Sequence, residues 1–277
     1  AREKLTHIDW SQEEIIQPKV VGKQNFIDVD MDLVIPYINW LYFLRAWGIK
    51  QNTDEANKLI VEAQTFLEKI KQEKLLQING VIGLYKAQSV GDDIEVFDEN
   101  GNILTTFNML RQQELRKDDS YRSLSDYIAP KSSGKDDYIG LFVVTAGIHA
   151  DKHAQAFKDQ NDDYSALMIK LLADRLVEAY SEYLHKEVRV NHWAYAKDEN
   201  ISMDDIHQVK YTGIRPAIGY PSLRDHSEKT KVFDVLKAEE IGVELTSNYM
   251  MHPAASECGL YFANKHCIYF DINKIDQ

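Results

Sequence analysis

Residues 162–186 read DDYSALMIKLLADRLVEAYSEYLHK, and their spacing organises the rest of the chain. Apolar side chains fall at 164, 167, 168, 171, 172, 176, 179, 180, 183 and 184. Steps of three and four predict one long amphipathic helix. Three charged residues interrupt that pattern. With Tyr164 at zero and about 100° per residue, Arg175, Glu178 and Glu182 fall at about 20°, 320° and 0°, inside the apolar stripe. Charges on a buried face must be paired or set against a ligand. One account is an internal Arg–Glu pair at helical spacing. The other is that Glu178 faces a cleft and binds a polar or cationic ligand.

Upstream, Val29 to Gly48 carries Leu33, Tyr37, Trp40, Leu41, Leu44 and Trp47, which predicts a helix with Pro36 near its start. Thr53 reads as the N-cap of a second helix to about Leu76, with Leu59, Ala63, Phe66, Leu67 and Ile70 on one face. The period then changes. GVIGLYKA (80–87), DIEVF (93–97) and ILTTF (103–107) read as strands, the last two joined across an Asn-Gly turn. Residues 117–137 read as a long surface connection, and YIGLFVVTAG (138–147) as a buried strand. Asp225 and Glu228 suggest a capping box opening a helix to about Ile241, with Gly242 as C-cap. CGLYFA and CIYFDI close the chain as expected paired strands.

This order is α+β. The expected architecture is a helical N-terminal lobe, about 1–77, on a mixed body, about 78–277. In the body a curved, mainly antiparallel sheet is flanked by long helices.

The chain has 277 residues, 44% of them hydrophobic, so wholesale disorder is excluded. Its 32 Lys+Arg against 44 Asp+Glu give a net charge of −12, which argues against a nucleic-acid partner. No apolar run approaches the roughly 20 residues that span a bilayer, so no membrane partner is expected. AREKLTHIDW has no signal-peptide h-region, and Ala1 in place of Met is expected of an excised or processed piece. Cys258 and Cys267 read as two reduced thiols, and the expected compartment is the cytoplasm. Phosphate-loop, HExxH, GxGxxG and GxSxG motifs do not occur. His149 and His153 read as solvated helix-start residues, and no metal site is expected.

The least ordinary local sequence is GIRPAIGYPSLRDHSEK, 213–229. Two prolines and a glycine in RPAIGYP force a stiff, irregular loop whose backbone groups are free to read a ligand. Arg215 suits a carboxylate, because its planar fork bonds both oxygens. Tyr220, between Gly219 and Pro221, has its ring direction fixed at low entropic cost.

RPAIGYP followed by DHSEK, with GLYF about forty residues on, resembles the C-terminal activation domain of cobalamin-dependent methionine synthase. YINWLYFLRAW, GVIGLYKAQSVGDDIEVF, DYIAPKSSGKDDYIGLFVVTAG and the long helix extend the resemblance, in order, over essentially the whole chain. The resemblance implies a domain that binds S-adenosylmethionine in a shallow groove and caps oxidised cobalamin, which another module holds. A flavodoxin-type donor would supply an electron, and S-adenosylmethionine the methyl group that traps cob(I)alamin as methylcobalamin. Carried over residue by residue, the ligand set is Arg215, the Ala217 backbone, Tyr269, Phe270 and Glu178. Tyr220 matches the tyrosine that approaches the cobalt, the catalytic position. The family's IDW is here Ile38-Asn39-Trp40, so Asn39 replaces an aspartate that could pair with the ligand ammonium. The change removes one charge-assisted hydrogen bond, of order 1 kcal/mol.

The cobalamin motif DxHxxG and a zinc-thiolate cluster are missing, so the isolated chain is not expected to make methionine. It is expected to serve as the activation module of that methyltransferase, with the cobalamin-binding module and a flavodoxin-type donor as partners. Docking of an acidic donor would use Lys131, Lys135, Arg224 and Lys229. A stand-alone S-adenosylmethionine-binding regulatory protein without a cobalamin partner is the competing reading, and a scaffold that has lost its ligand is a third.

Overall fold

A computed structural model describes residues 8–114 and 120–273. Its frame is a wholly antiparallel six-stranded sheet of β1 (Gly22–Phe26), β2 (Gln77–Val90), β3 (Asp93–Phe97), β4 (Ile103–Asn108), β5 (Asp137–Ile148) and β8 (Ser256–Tyr261). The order is β4-β3-β2-β5-β8. β1 lies along the first half of β2, with Gly22 opposite Leu84, and β3 along the second half. β6 (Glu244–Leu245) and β7 (Met251–His252) form a separate small ribbon.

Side chains alternate across the central strands, and each face has its own core. Ile78, Ile82 and Leu84 of β2 join Tyr138, Phe142 and Val144 of β5 on one face. Val81, Ala87, Ile139, Leu141 and Val143 face the other way. A sheet covered on both sides needs apolar residues at every position, which explains the unbroken run in β5.

The first face is covered by α5 (Asp163–Glu187), the long helix expected from residues 162–186. Asp162 caps it, its Oδ1 accepting from Ser165 N at 2.9 Å. Leu172, Leu176 and Tyr180 of α5 are buried there. Gly80 makes the approach possible: a Cβ at that position would lie 2.6 Å from the Tyr180 hydroxyl. Also on this side are α1 (Met31–Val34), α2 (Trp40–Ala46), α3 (Asp54–Glu73) and α4 (Ala150–Asp159), followed downstream by α6 (Met203–His207). The second face is covered by α7 (Glu228–Leu236) and by the segment before β5.

Several expectations are corrected. The helix expected over 29–48 is broken in two. Pro36 sits in a 3₁₀ turn, Ile35–Tyr37, Ile38 is extended, and Asn39 restarts the chain as the N-cap of α2. Nor are the first 77 residues purely helical, since Gly22–Phe26 is an edge strand whose polar sequence GKQNF gives little strand signal. α3 does start at its Thr53 cap. The capping box at 225–228 does not form. Asp225 accepts from Ser227 instead, and Glu228 is buried against Lys231. α7 ends where Lys237 turns left-handed, and a 3₁₀ turn reaches Ile241 before Gly242.

The expected surface connection 117–137 is partly interior, with 117–119 outside the described residues. Leu124, Tyr127, Ile128 and Ala129 are buried. Ser89 bonds this segment twice, through its N to Ala129 O and its Oγ to Ile128 O, both at 3.0 Å. Asp137 Oδ2 then accepts from Ala129 N at 2.8 Å.

Burial lifts the Asp137 carboxyl from 3.8 to about 6, against the pull of the Ala129 and Tyr138 amides. As pH rises from 3.8 to about 6, the unfolded chain releases this proton before the folded one does. The folded chain therefore binds more protons, and the group's contribution, complete below 3.8, is lost above about 6. The loss is about 3 kcal/mol. Urea unfolding of wild type and Asp137→Asn at pH 4 and 7.5 should show the wild type losing ground by that order as pH rises. A difference independent of pH would mean that the carboxyl is not perturbed.

Candidate functional site

RPAIG acts as a short extra strand along the free edge of β8. Ile214 and Phe262 exchange two backbone bonds of 3.0 Å, and Ile218 N donates to Cys258 O at 3.0 Å. Leu260 N donates to Pro216 O at 3.1 Å, so Ala217 lies opposite Gly259. Alternation then assigns the side chains. Ile214 and Ile218 enter the core of the second face, whereas Arg215 and Ala217 turn to the side occupied by α5. The backbone alternates too. The bonds to β8 leave the outward amides of Arg215 and Ala217 for other partners. Arg215 N donates to the Tyr269 hydroxyl at 2.8 Å, and Ala217 lines the groove.

That groove, about 850 Å³, lies between α5, the turn before α2, the RPAIGYP loop and the segment 269–271. Asn39, Glu178, Arg215, Ala217, Tyr220, Tyr269 and Phe270 all line it. Seven residues spread over 230 positions converge on one surface.

Their states differ. Tyr220 is 60% exposed on the rim. Phe270 is buried, and its ring packs edge-on against Tyr127, so it reaches the groove only at the edge of the core. The expected strand CIYFDI does not exist. Its backbone bonds go instead to the loop and to side chains: Ser222 Oγ donates to Phe270 O, Gln112 Nε2 to Asp271 O, and Ile272 N to Pro221 O. The segment is a strap that carries Tyr269 to the groove. Asn39 has a structural duty besides lining it, because its Oδ1 accepts from Leu41 N at 3.1 Å.

The anomaly on the long helix is resolved by position. Arg175, Glu178 and Glu182 lie on the flank of α5 that borders the groove, whereas Leu176, Tyr180 and Leu184 stay in the core. Arg175 donates to both Glu178 oxygens, at 2.9 and 3.0 Å, with the Glu178 side chain 51% exposed. Glu178 is therefore paired within the helix and also lines the groove. Burial pushes the Glu178 carboxyl up, Arg175 opposes this, and Glu257 adds to the rise.

Arg215 is held more tightly. Its Nη2 donates to Glu182 Oε1 at 2.5 Å, and its Nη1 lies 3.2 Å from both Glu257 oxygens. Ser181 Oγ donates to the same Glu257. Burial works against the Arg215 charge, but the Glu182 and Glu257 carboxylates outweigh it and hold the guanidinium protonated. One oxygen of Glu182, Oε2, is buried with no partner among the described residues. Three carboxylates (Glu178, Glu182, Glu257) face two guanidiniums (Arg175, Arg215), so this cluster carries 2 − 3 = −1. Such a surface favours a cation.

Glu257 and Tyr211 were missed from the sequence. The signal for Glu257 was available: in SECGLY it shares the parity of Gly259 and Tyr261, so it is a charge on a face that should be apolar. The expected basic docking residues do not form a free cluster. Lys131 pairs with Glu95, Lys135 and Arg224 donate to the carbonyls of Glu13 and Asn273, and buried Lys229 donates to Tyr249 O.

The sequence profile of the family described as vitamin B12 dependent methionine synthase, activation domain, matches residues 30–277. The chain belongs to this family. The activation domain is also similar, at 37% identity and a TM-score of 0.95, to the MetH reactivation domain in a crystal structure bound to AdoHcy. The match covers 99% of this chain and 88% of that one. Among the described residues of this activation domain, no helix is long and apolar enough to cross a membrane. No group of three or more His, Cys, Asp or Glu is placed to hold a metal ion there.

Gly259 fixes the loop of this activation domain. A Cβ there would lie 2.3 Å from Pro216 O and 2.8 Å from Ala217 Cα, both backbone atoms that cannot swing aside. Gly259→Ala should lower stability by about 1–3 kcal/mol through this overlap. A urea midpoint equal to that of wild type would show that the loop does not depend on the close approach.

Proposed function

We propose that the groove binds S-adenosylmethionine, and that the domain serves the reductive reactivation of cobalamin in cobalamin-dependent methionine synthase. The observation that carries this reading is the convergence of all seven family positions on one acidic groove, in a chain 37% identical to a reactivation domain seen with AdoHcy. The residues suit the ligand. About 850 Å³ lies in the usual range for small-molecule sites. With a sulfonium, an ammonium and a carboxylate, S-adenosylmethionine carries net +1, which complements the acidic lining.

Arg215 and Glu182 would hold the amino-acid end, with the unpartnered Glu182 oxygen available to an ammonium. The Ala217 N–H would read an acceptor on the nucleoside, and Tyr269 would give it a flat surface. Glu178 would face the positive sulfur. When bound, S-adenosylmethionine supplies the methyl group, and an electron donor the single electron, that return oxidised cobalamin to its methylated form. The chain's own residues hold the donor still and leave its reactive side open to a second module. Tyr220, exposed on the rim, is placed to meet that module. Cobalamin would be held by the cobalamin-binding module, the electron would come from a flavodoxin-type donor, and the setting would be cytoplasmic.

Calorimetric titration with S-adenosylmethionine tests the reading directly, and absence of binding by the wild type would reject it. Asn39→Asp is a clean variant, because aspartate caps a helix as well as asparagine does. It should leave the melting temperature unchanged and tighten binding severalfold, by about 1 kcal/mol. Unchanged affinity would place the ligand ammonium elsewhere.

Tyr220→Phe should leave S-adenosylmethionine affinity within about twofold, because the side chain stands 60% exposed on the rim of the groove. It should change the rate of cob(II)alamin reduction once a cobalamin-binding module is supplied. An unchanged rate, with a lowered melting temperature for Tyr220→Ala, would reduce the ring to a packing role.

A further inference from the structure

Glu257 has no role in the ligand set carried over from the family, yet it occupies the centre of the groove's charge network. It lies on β8 at the parity that faces α5, where its neighbours in alternation are Gly259 and Tyr261. An apolar residue would satisfy the sheet at this position. Arg215 does not require a second partner either, because Glu182 already accepts from it at 2.5 Å. Glu257 is nevertheless held from two sides, by Ser181 Oγ on α5 and by Arg215 Nη1 on the loop. Its side chain is only 18% exposed. A half-buried carboxylate beside a pair already balanced is costly to keep.

The consequence is a charge excess. Arg215 with Glu182 is neutral, and Glu257 makes the trio −1. Arg175 and Glu178 cancel one another within α5. Removing the Glu257 charge would take this cluster of two guanidiniums and three carboxylates from −1 to neutral. The Glu257 charge is also felt at Glu178 and at Tyr220, on opposite walls, where it raises both acidities' pKa values. It therefore acts on the space between them.

We propose that Glu257 is the specificity-determining residue that makes this groove prefer a sulfonium to the thioether of otherwise identical structure. The inference rests on the reading that the groove binds S-adenosylmethionine. S-adenosylmethionine and AdoHcy differ by one methyl group and one positive charge, so contacts to the adenine, ribose and amino-acid end are common to both. Only the charge at sulfur separates them, and a net negative floor stabilises one and not the other. The preference lets the demethylated product leave while the methyl donor is retained.

Wild type, Glu257→Gln and Glu257→Asp are titrated calorimetrically with S-adenosylmethionine and with AdoHcy, and each protein's melting curve is recorded. The wild type should bind S-adenosylmethionine more tightly. Glu257→Gln should shrink the ratio of the two dissociation constants by about fivefold or more, through loss of one nearby charge, with AdoHcy affinity kept within about twofold. Glu257→Asp should keep the preference, even where both affinities fall. A structural role would weaken both ligands alike, so equal losses, or an unchanged ratio in Glu257→Gln, overturn the assignment. Should Glu257→Gln melt early, loss of preference in Glu257→Asp overturns it as well. A wild type that binds neither ligand rejects the functional reading at the first titration, and this inference with it. A wild type that binds both ligands equally rejects this inference alone.

Discussion

The site depends on one close approach of backbone to backbone, where the Pro216–Ala217 peptide crosses Gly259 of β8. Only a residue without a Cβ fits there. The ladder from Ile214 to Ile218 then follows, and its register decides the rest. One residue of slip would turn Arg215 and Ala217 into the core and bring Ile214 and Ile218 to the groove. The burial of both isoleucines on the second face, together with the ion cluster on the first, pins the register from both sides. The helix-facing edge of the loop thereby becomes a wall of the groove with a sheet behind it.

That surface is charged where the fold would be better served by apolar packing. Taking Arg215, Glu182 and Glu257 partly out of water costs more than their attraction is expected to return, and well-packed apolar residues are often at least as stable. The Arg189–Glu199 pair, also buried, is balanced one to one. The Arg215 cluster is not balanced, having two carboxylates for one guanidinium. An unpartnered oxygen remains on Glu182. On the proposed function, a positively charged ligand completes this arrangement. α5 makes the excess tolerable by fixing Ser181 and Glu182 one residue apart on a rigid frame, so that neither carboxylate can relax toward solvent.

The parts legible in the sequence were those written as periodicity. α5, α3, β3 and β5 follow from spacing alone, and Thr53 marks a helix start by capping chemistry. β1 was not legible, because an edge strand with Lys23, Gln24 and Asn25 needs no apolar face. CIYFDI misled for the opposite reason. Its alternation is that of a strand, but Ser222, Gln112 and Pro221 take its backbone bonds before a ladder can form. The helix over 29–48 was misread because its apolar stripe continues through Pro36, while the missing N–H and the Asn39 cap divide it. Arg175, Glu178 and Glu182 were found as charges out of place on a helix. The same test on β8 would have exposed Glu257.

Stiffness and openness meet in the loop. Pro216 and Pro221 restrict its backbone, and Gly219, at φ +101°, lets the His226 ring pack against it. A Cβ on Gly219 would lie 2.5 Å from that ring. The loop is therefore formed before any ligand arrives, and little ordering entropy is left to lose on binding. Yet the groove is not closed, and Tyr220 stands out on its rim. An enzyme that completes its chemistry alone gains by sealing its ligand from water. On the proposed function, this domain presents a methyl group to a centre held by another module and so cannot seal it. It must fix the ligand from one side only, and a sheet edge backed by a rigid helix does this without a lid. The acidic floor, not enclosure, is then the means left for retaining the ligand, which is why charge is concentrated at the depth of an open groove.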